Sequence, residues 1–552
     1  MADEMEKRLC GILEQLYAAD AGPGDSQALA QDALRFMRGE TGALQRDIRV
    51  RAVKGGVYKI KEYYLENNEL SDIRGASAVI TEVQERIVPD LLWQLIGFDG
   101  VIYNGGGNML ALIPADLPGE IGDIGETLEQ AAERCMLTAN VAYICTEPFP
   151  ISELLGAGYR KCAARIELML TERKKARAVC DICPQSEMNH AQLCGVTLAL
   201  NRIEVSGAMC SRCCKRIASY AVGEAAMCGG CAHKYSVGRV HRQRFLSEYQ
   251  SYLRQNRFGF AGSVVSPQNY EEIDESHIAV VYADGNNMGG LIQNIRCITD
   301  MMDFSQFVKE TMPRLVFRAM AVCGVQRFEL VAVGGDDIFI LLPAVKAVSF
   351  SRELIALYKS AFDAHFAGNR STLSVGICIA KPSDKVKVML EAAEGRLKKA
   401  KSQMRLPENA AGSGSLSFTV MGSYEGVSAG YAKRRSMLPY TYEQLLPVLA
   451  FVKKWQPHKI TTRIRNIADA YANAESPEEM RIFFRYVNAK ETTPEKRIVL
   501  PEIPGYKRCD GYYENDAGED SAFWEDIIDL MKFYDPTTVR EGAAPCRSEP
   551  IG

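Results

Sequence analysis

Asp336 and Asp337 stand side by side after Gly334 and Gly335, between two apolar runs in "ELVAVGGDDIFILLP" (Glu329 to Pro343). A third acid, Asp284, ends another apolar run, "IAVVYADG". Carboxylates at the ends of buried-type strands suit divalent cations. Mg2+ takes one or two of them and fills its other positions with water and substrate phosphates. Two such ions can clamp the attacking and leaving oxygens of a phosphoryl transfer. Without a cation the clustered charges repel, and a carboxyl is driven toward its protonated form. The glycines permit positive φ and a close approach of phosphate to backbone. Successive side chains on a strand point to opposite faces, so Asp336 and Asp337 reach one ion only if the turn redirects one of them. A plain hairpin turn would also use Gly and Asp. The doubled acid, the matching Asp284 and the apolar flanks favour metal over that reading.

Gly285, Asn286 and Asn287 in "DGNNMGG" open a helix whose free N–H groups suit a triphosphate, although an ordinary N-cap uses the same residue types. Ser374 and Gly376 in "STLSVGICIA" fall on a strand expected beside the hairpin, with Ser374 a candidate contact for a nucleotide base. Lys398, Lys399 and Lys401 in "RLKKAKSQM" follow on a helix from which a triphosphate is within reach, though lysines on such a helix are commonly just solvated. No GxxxxGK[ST] and no GxSxG occur, and none of the six histidines precedes an aspartate. A P-loop ATPase, a serine hydrolase and an HD-type phosphohydrolase therefore have no support.

Three CxxC pairs crowd one segment: Cys180/Cys183, Cys210/Cys213 and Cys228/Cys231. Two such knuckles about thirty residues apart supply four thiolates to a tetrahedral zinc site. Cys180, Cys183, Cys210 and Cys213 are the expected ligands. Cys228 and Cys231 could close the site instead, or combine with Cys194, His190 or His233 in another. A redox CxxC is the rival reading.

These residues need elements to hold them, and the hydrophobic pattern supplies a repeated set. Two short helical segments are broken by "AGPGDS" (Ala21 to Ser26). A strand (Gly55 to Glu66), an amphipathic helical stretch (Ile73 to Leu95), a hairpin (Gly100 to Ala115), a helix, the strand "NVAYICTE" and a further helix follow. The same order returns from Ser276, as expected of two ferredoxin-like α+β domains of the palm type. Aligning Pro114 with Pro343 sets Gly105-Gly106 on Gly334-Gly335 and Gly107-Asn108 on Asp336-Asp337. "YLENN" against "YADGN" then sets Glu66 against Asp284. The first copy keeps the glycines and lacks the paired acids. The expected organisation is a helical segment (1–45), a first palm (46–178), a zinc-binding linker (179–275), a second, catalytic palm (276–422) and a helical C-terminal domain with a disordered tail (423–552).

The bulk composition excludes little else. With 552 residues, 47% hydrophobic and 24% charged, the chain reads as a multidomain globular protein. A net charge of −4 argues against generic coating of nucleic acid, and the "RKKAR" and "KRR" runs read as solvated helix faces. The N-terminus does not read as a secretory signal, and no apolar run is long enough to span a membrane. Seventeen cysteines without an export signal fit a reducing cytoplasm.

"IRGAS" and "YNGGGN" in the first copy, the zinc insert, "YADGNNMGG" and "VGGDDIFILLP" in the second, and "LPYTYEQLLPVL" after it together resemble the large subunit of type III CRISPR effector complexes over roughly residues 50–540. The resemblance implies an ATP-using nucleotidyltransferase that makes cyclic oligoadenylates with Mg2+ or Mn2+ and acts in antiviral defence. It implies Asp284, Asp336 and Asp337 as metal ligands, and a degenerate first palm whose Gly105, Gly106 and Gly107 contribute to the nucleotide site. It also implies activation by guide RNA paired with target RNA through other effector subunits. The HD nuclease domain of that family has no counterpart in the motifs, so DNA cleavage is not expected. A catalytically silent RNA-guided scaffold and a stand-alone GGDEF-like cyclic dinucleotide synthase are the alternatives.

Overall fold

The computed structural model describes residues 2–22, 24–116, 123–136, 138–176, 201–202, 207–241, 244–259, 263–366, 371–409, 411–422, 436–458, 460–474 and 476–536. The chain divides into two compact units. One comprises Met1–Phe245, Gly289–Pro313 and Val333–Asp336; the other comprises Leu246–Met288, Arg314–Ala332 and Asp337–Gly552.

The first unit begins with α1 (Ala2–Ala21) and α2 (Ser26–Met37), the two helical segments expected from the sequence. Strand β1 (Arg49–Tyr58) leads through α3 (Ile60–Tyr64) to α4 (Leu70–Glu82), a π-helical turn (Val83–Ile87) and α5 (Val88–Ile96). The α5 helix stops at Gly97, whose φ of 85° is the left-handed cap that glycine adopts without strain. The hairpin β2 (Val101–Gly105) and β3 (Asn108–Pro114) follows, then α6 (Ile124–Met136), β4 (Asn140–Cys145), β5 (Phe149–Pro150), α7 (Ser152–Leu155) and α8 (Tyr159–Ala176). The sheet runs β2-β3-β1-β4, with β5 also paired to β1. This is the antiparallel order of a ferredoxin-like βαββαβ unit. Its apolar faces close on a core that includes Val53, Val79, Leu92, Ala111, Leu128 and Tyr143. The cysteine-rich part contributes the small strands β6 (Asn201–Arg202), β7 (Tyr220–Val222) and β8 (Ala225–Met227), followed by α9 (Gly229–Val240).

The second unit receives most of α10 (Arg244–Gln255) and then β9 (Ile278–Asn286). Next come α11 (Met288–Asn294) and α12 (Ile298–Val322), which run largely through residues of the first unit. The chain continues with β10 (Glu329–Gly334), β11 (Asp337–Pro343), α13 (Ala344–His365), β12 (Thr372–Ala380), α14 (Val386–Met404) and β13 (Gly414–Val420). After β14 (Tyr440–Thr441) come α15 (Tyr442–Trp455), α16 (Thr461–Asn473), α17 (Pro477–Ala489), β15 (Lys507–Arg508), β16 (Tyr513–Glu514), β17 (Asp520–Ser521) and α18 (Trp524–Phe533). The sheet order β10-β11-β9-β12-β13-β14 contains the same four-strand order as the first sheet, extended by β13 and β14. Six consecutive residues of β9, Ile278 to Ala283, and all nine of β12 are buried, as strands covered on both faces must be. Thr441 and Gln444 close a reciprocal capping box that starts α15.

The α+β fold class is as expected, and the differences are local. The strand expected over Gly55–Glu66 is instead β1, ending at Tyr58, because Lys59 turns into the left-handed region (φ 55°) and starts α3. The helical stretch from Ile73 is interrupted by the π turn at Val83–Ile87. A three-stranded sheet, β15-β16-β17, interrupts the helical C-terminal part. Among the described residues no helix is long and apolar enough to cross a membrane.

Candidate nucleotide and metal sites

Ile338 on β11 pairs with Ala283 on β9, so the next position outward sets Asp337 opposite Asp284. Directly opposed residues carry their Cβ atoms about 4.5–5.5 Å apart, close enough for two carboxylates to share a cation. Tyr282, two residues before Asp284 and so on the same face of β9, donates its hydroxyl to Asp337 Oδ1 at 3.0 Å. That bond places the Asp337 side chain on the Asp284 face. Burial, and then the Asp337 charge, push the Tyr282 phenol far above its ordinary range, so it stays a donor. Asp336 is half-buried at the neighbouring turn position, where Gly335 takes a φ of +61°.

Lys401 on α14 pairs its Nζ with Asp284 Oδ2 at 2.5 Å and with the Gly285 carbonyl at 3.3 Å. Of the three lysines singled out in the sequence, Lys398 and Lys399 are exposed and Lys401 alone makes this contact. Asn286 donates to Thr372 Oγ1 (2.8 Å) and Ser374 Oγ (2.9 Å), and Ser374 is bonded in turn to Ser415. Ser374 is fully buried, so its hydroxyl holds Asn286 in place and does not face solvent. Gly376, next on that face, has no room for a side chain: a Cβ would lie 2.0 Å from the Ala393 carbonyl of α14. Asn287 is exposed with a φ of 63°, which Asn tolerates better than most residues.

Residues 277–406 match the family model described as Cas10/Cmr2, second palm domain. This segment is similar to a Cas10/Cmr2 second palm. Solved structures resemble the whole chain more distantly. Csm1 of T. onnurineus superposes with a TM-score of 0.54 at 15% identity, covering 93% of this chain and 73% of that one. A Csm1–Csm4 cassette in complex with cA4 gives 0.54 at 16% identity, over 93% and 73% of the two chains. A Csm1–Csm4 subcomplex of the type III-A CRISPR-Csm interference complex gives 0.53 at 15%, with the same coverage. At such identities the likeness is one of fold. No curated protein matches the chain in sequence. The resemblance to the large subunit of type III effectors read from the motifs is borne out in the second palm and in the fold.

Against the second palm, the first sheet shows what replaces the acids. Val50 pairs with Pro114 as Ile278 pairs with Pro343, and on this register Gly56 takes the place of Asp284 and Asn108 that of Asp337. The equivalence of Glu66 with Asp284 expected from the sequence is therefore corrected, since Glu66 lies beyond α3 and on no strand. A Cβ on Gly56 would fall 1.8 Å from the Gly107 carbonyl, so no side chain fits there. Within the first unit, Gly106 lies so near the Gly335 backbone that a Cβ on it would sit 3.3 Å from the Gly335 Cα. Gly107 backs onto Ile60 and Val57, and Gly105 lies near Ser305.

Four buried sulfurs, those of Cys210, Cys213, Cys228 and Cys231, lie within 4.8 Å of one another. Cys180, Cys183, Cys194 and His190 fall outside the described residues. His233 is buried on α9 and is not among the four. The Cys213 and Cys228 sulfurs are 3.8 Å apart, the edge of a tetrahedron with ligands about 2.3 Å from zinc. The surroundings fit as well. Buried Arg216 places Nη1 4.0 Å from Cys213 Sγ, and Asn67 donates toward Cys231 Sγ at 3.7 Å. The sulfurs perturb one another: hydrogen bonding with the other three drives the Cys210 thiol far down, and Cys210, Cys213 and Cys228 drive the Cys231 thiol far up. Such a set could hold zinc as a tetrathiolate.

Proposed function

We propose that this chain is the large subunit of a type III CRISPR effector and joins ATP into cyclic oligoadenylates at its second palm. A ribose 3′-hydroxyl attacks the α-phosphate of an ATP, a 3′–5′ phosphodiester forms, and pyrophosphate leaves. Asp284, Asp336 and Asp337 are the residues that would hold Mg2+ or Mn2+, which when bound supplies charge neutralisation at the phosphates. The opposed pair Asp284 and Asp337, with Lys401 already serving as a cation on Asp284, is the observation that carries this reading. It is supported by the family match over 277–406 and by the ligands bound in similarly folded Csm1–Csm4 cassettes, among them cA4 and pppApApA.

The chain's own groups have separate tasks in this scheme. Tyr282 orients Asp337 by holding its Oδ1. The Ser374–Ser415 pair fixes Asn286 and with it the Gly285–Asn287 loop that opens toward α11. Lys401 is placed to meet triphosphate charge at the end of β9. Cys210, Cys213, Cys228 and Cys231 would hold a structural zinc. Guide RNA and target RNA, bound through companion subunits in the cytoplasm, are the proposed trigger.

The test is mass spectrometry of the products formed from ATP by the purified chain and by its reconstituted effector, with and without target RNA. Cyclic oligoadenylates that vanish in an Asp336→Ala/Asp337→Ala variant are expected. If no oligonucleotide forms under any of these conditions, the protein is a silent scaffold. Products from GTP alone would point to a GGDEF-like synthase.

A further inference from the structure

The cysteine knuckle grips the first palm through a set of charges that a purely local zinc site would not need. Glu66 is 5% exposed at its side chain and is held by Lys234 Nζ at 2.5 Å and by Arg216 Nη1. Burial pushes the Glu66 carboxyl up, but Lys234 and then Arg216 outweigh it and keep it below its ordinary value. Lys234, 1% exposed, also donates to the Tyr63 carbonyl at 2.9 Å and lies 3.8 Å from the Tyr63 ring centroid. Arg212 pairs with Glu69 at 2.6 Å, and Asn67 bridges Asp72 and Cys231 Sγ. Every one of these contacts falls on Tyr63 to Asp72, the approach to α4 and its first turn.

The charges largely close on themselves. Glu66 answers two buried cations, Lys234 and Arg216, while Glu69 and buried Asp72 face Arg212. A zinc tetrathiolate would add two negative charges, which the Arg216 guanidinium, 4.0 Å from Cys213 Sγ, is positioned to face. The same helices also meet without side chains between them. Gly75 of α4 lies against the Lys234 carbonyl, and Gly238 of α9 lies against the Ser71 carbonyl. From α4 the chain enters the π turn, where the Gln84 carbonyl accepts from Asn104 Nδ2 on β2. Gly107 at the hairpin tip abuts Ile60, just before the gripped segment, and Gln84, in the π turn that follows α4.

We propose that the metal-loaded cysteine centre is a latch on the first palm. Metal binding fixes Arg216 and α9, these fix Glu66 and α4, and α4 with its π turn fixes the Gly105–Gly107 tip. Glu66 is a positioning residue in this scheme and touches neither metal nor nucleotide. The latch does not depend on the cyclase reading, and its test needs no nucleotide.

The experiment follows hydrogen exchange by mass spectrometry on the full chain, as purified, after stripping with a chelator, and after return of Zn2+. Stripping is expected to speed exchange about tenfold or more over 66–88 and 101–110, reversibly, while 278–286 and 337–343 stay unchanged. Glu66→Gln is expected to keep about one zinc per chain, by elemental analysis, and still to exchange faster over 66–88. Loosening confined to 207–231 on stripping would overturn the latch. So would a Glu66→Gln chain that exchanges like the parent, or a parent that retains no metal.

Discussion

Gly238→Ala puts the crossing of α4 and α9 to a test whose size follows from the geometry. The added Cβ would lie 1.8 Å from the Ser71 carbonyl oxygen and 2.9 Å from the Gly75 nitrogen, both backbone atoms. A carbon and a carbonyl oxygen settle at about 3.3 Å or more, so the helices must part by roughly 1.5 Å. Overpacking of this kind costs about 1–3 kcal/mol, and a clash with backbone belongs at the upper end. The helix gains about 1 kcal/mol from replacing glycine by alanine, which leaves a net loss of about 2 kcal/mol. Tenfold in an equilibrium corresponds to about 1.4 kcal/mol, so exchange over 70–82 and 229–240 should rise roughly thirtyfold. Because the chain divides into two compact units, a single unfolding step is not expected, and local hydrogen exchange is the right assay for this crossing. Gly395→Ala on α14 is the control, since nothing lies within 4 Å of its Cβ. There only the propensity gain acts, and exchange over 386–404 should slow about fivefold. If Gly238→Ala exchanges as slowly as the parent over α4 and α9, the close crossing and the grip built on it are wrong.

Three further outcomes follow. Lys401→Gln should change thermal stability by less than about 1 kcal/mol, because its ion pair with Asp284 is partly exposed, yet lower product formation from ATP at least about tenfold; equal activity would reduce Lys401 to a surface ion pair. Gly56→Ala should loosen β1 and β3 by about 3 kcal/mol in local exchange, whereas Asn108→Asp, at an exposed strand end, should be tolerated. Burial lifts the Asp526 carboxyl to about 7 from its ordinary 3.8, against hydrogen bonds from Tyr440 (2.6 Å) and Ser436 (3.0 Å), so its contribution to stability is complete below about 4 and is lost as pH rises through 7. Asp526→Asn should therefore gain on the parent by up to about 4 kcal/mol between pH 4 and 8 in local exchange over 524–533, corrected for the intrinsic pH dependence of exchange, and a difference that does not vary with pH would contradict this.

The sequence was most legible where pattern alone decides. The hairpins at Gly105–Gly107 and Gly334–Gly335, the strands around "AVVYADG" and "STLSVGICIA", and α14 all stand within a few residues of where periodicity put them. Periodicity could not show that Gly55 and Gly56 lie inside β1, because a glycine pair is better read as a boundary than as a place where a neighbouring backbone intrudes. It reads faces and not partners, so three lysines close together on one helix gave no means of choosing Lys401, and Tyr282 passed as part of an apolar run. Its one visible signal was its place two residues before Asp284. The three CxxC pairs led to Cys180, Cys183, Cys210 and Cys213 as the expected ligands, whereas among the described residues Cys210 and Cys213 meet Cys228 and Cys231, since which knuckles meet depends on where β7, β8 and α9 turn the chain. The short strands β15 to β17 carry too few residues to show an alternation.

The two sheets share a register, and that makes their difference chemical. In the second, β9 ends in an acid opposite another acid, with a tyrosine and a lysine to orient and neutralise them. In the first, the matching positions are Gly56 and Asn108, and the Gly107 carbonyl fills the space a carboxylate at position 56 would need. Restoring the turn acids alone would therefore not give the first sheet a second metal site. Glu66, which lies beyond α3, is buried between two cations. Removing its carboxylate would leave Lys234 and Arg216 buried without that partner, a loss of about 3–5 kcal/mol by analogy with other broken buried pairs. The two hairpins thus differ in one physical respect: the second carries paired acids at its tip, where we propose charged ligands bind, and the first is tightly backed by its own helices.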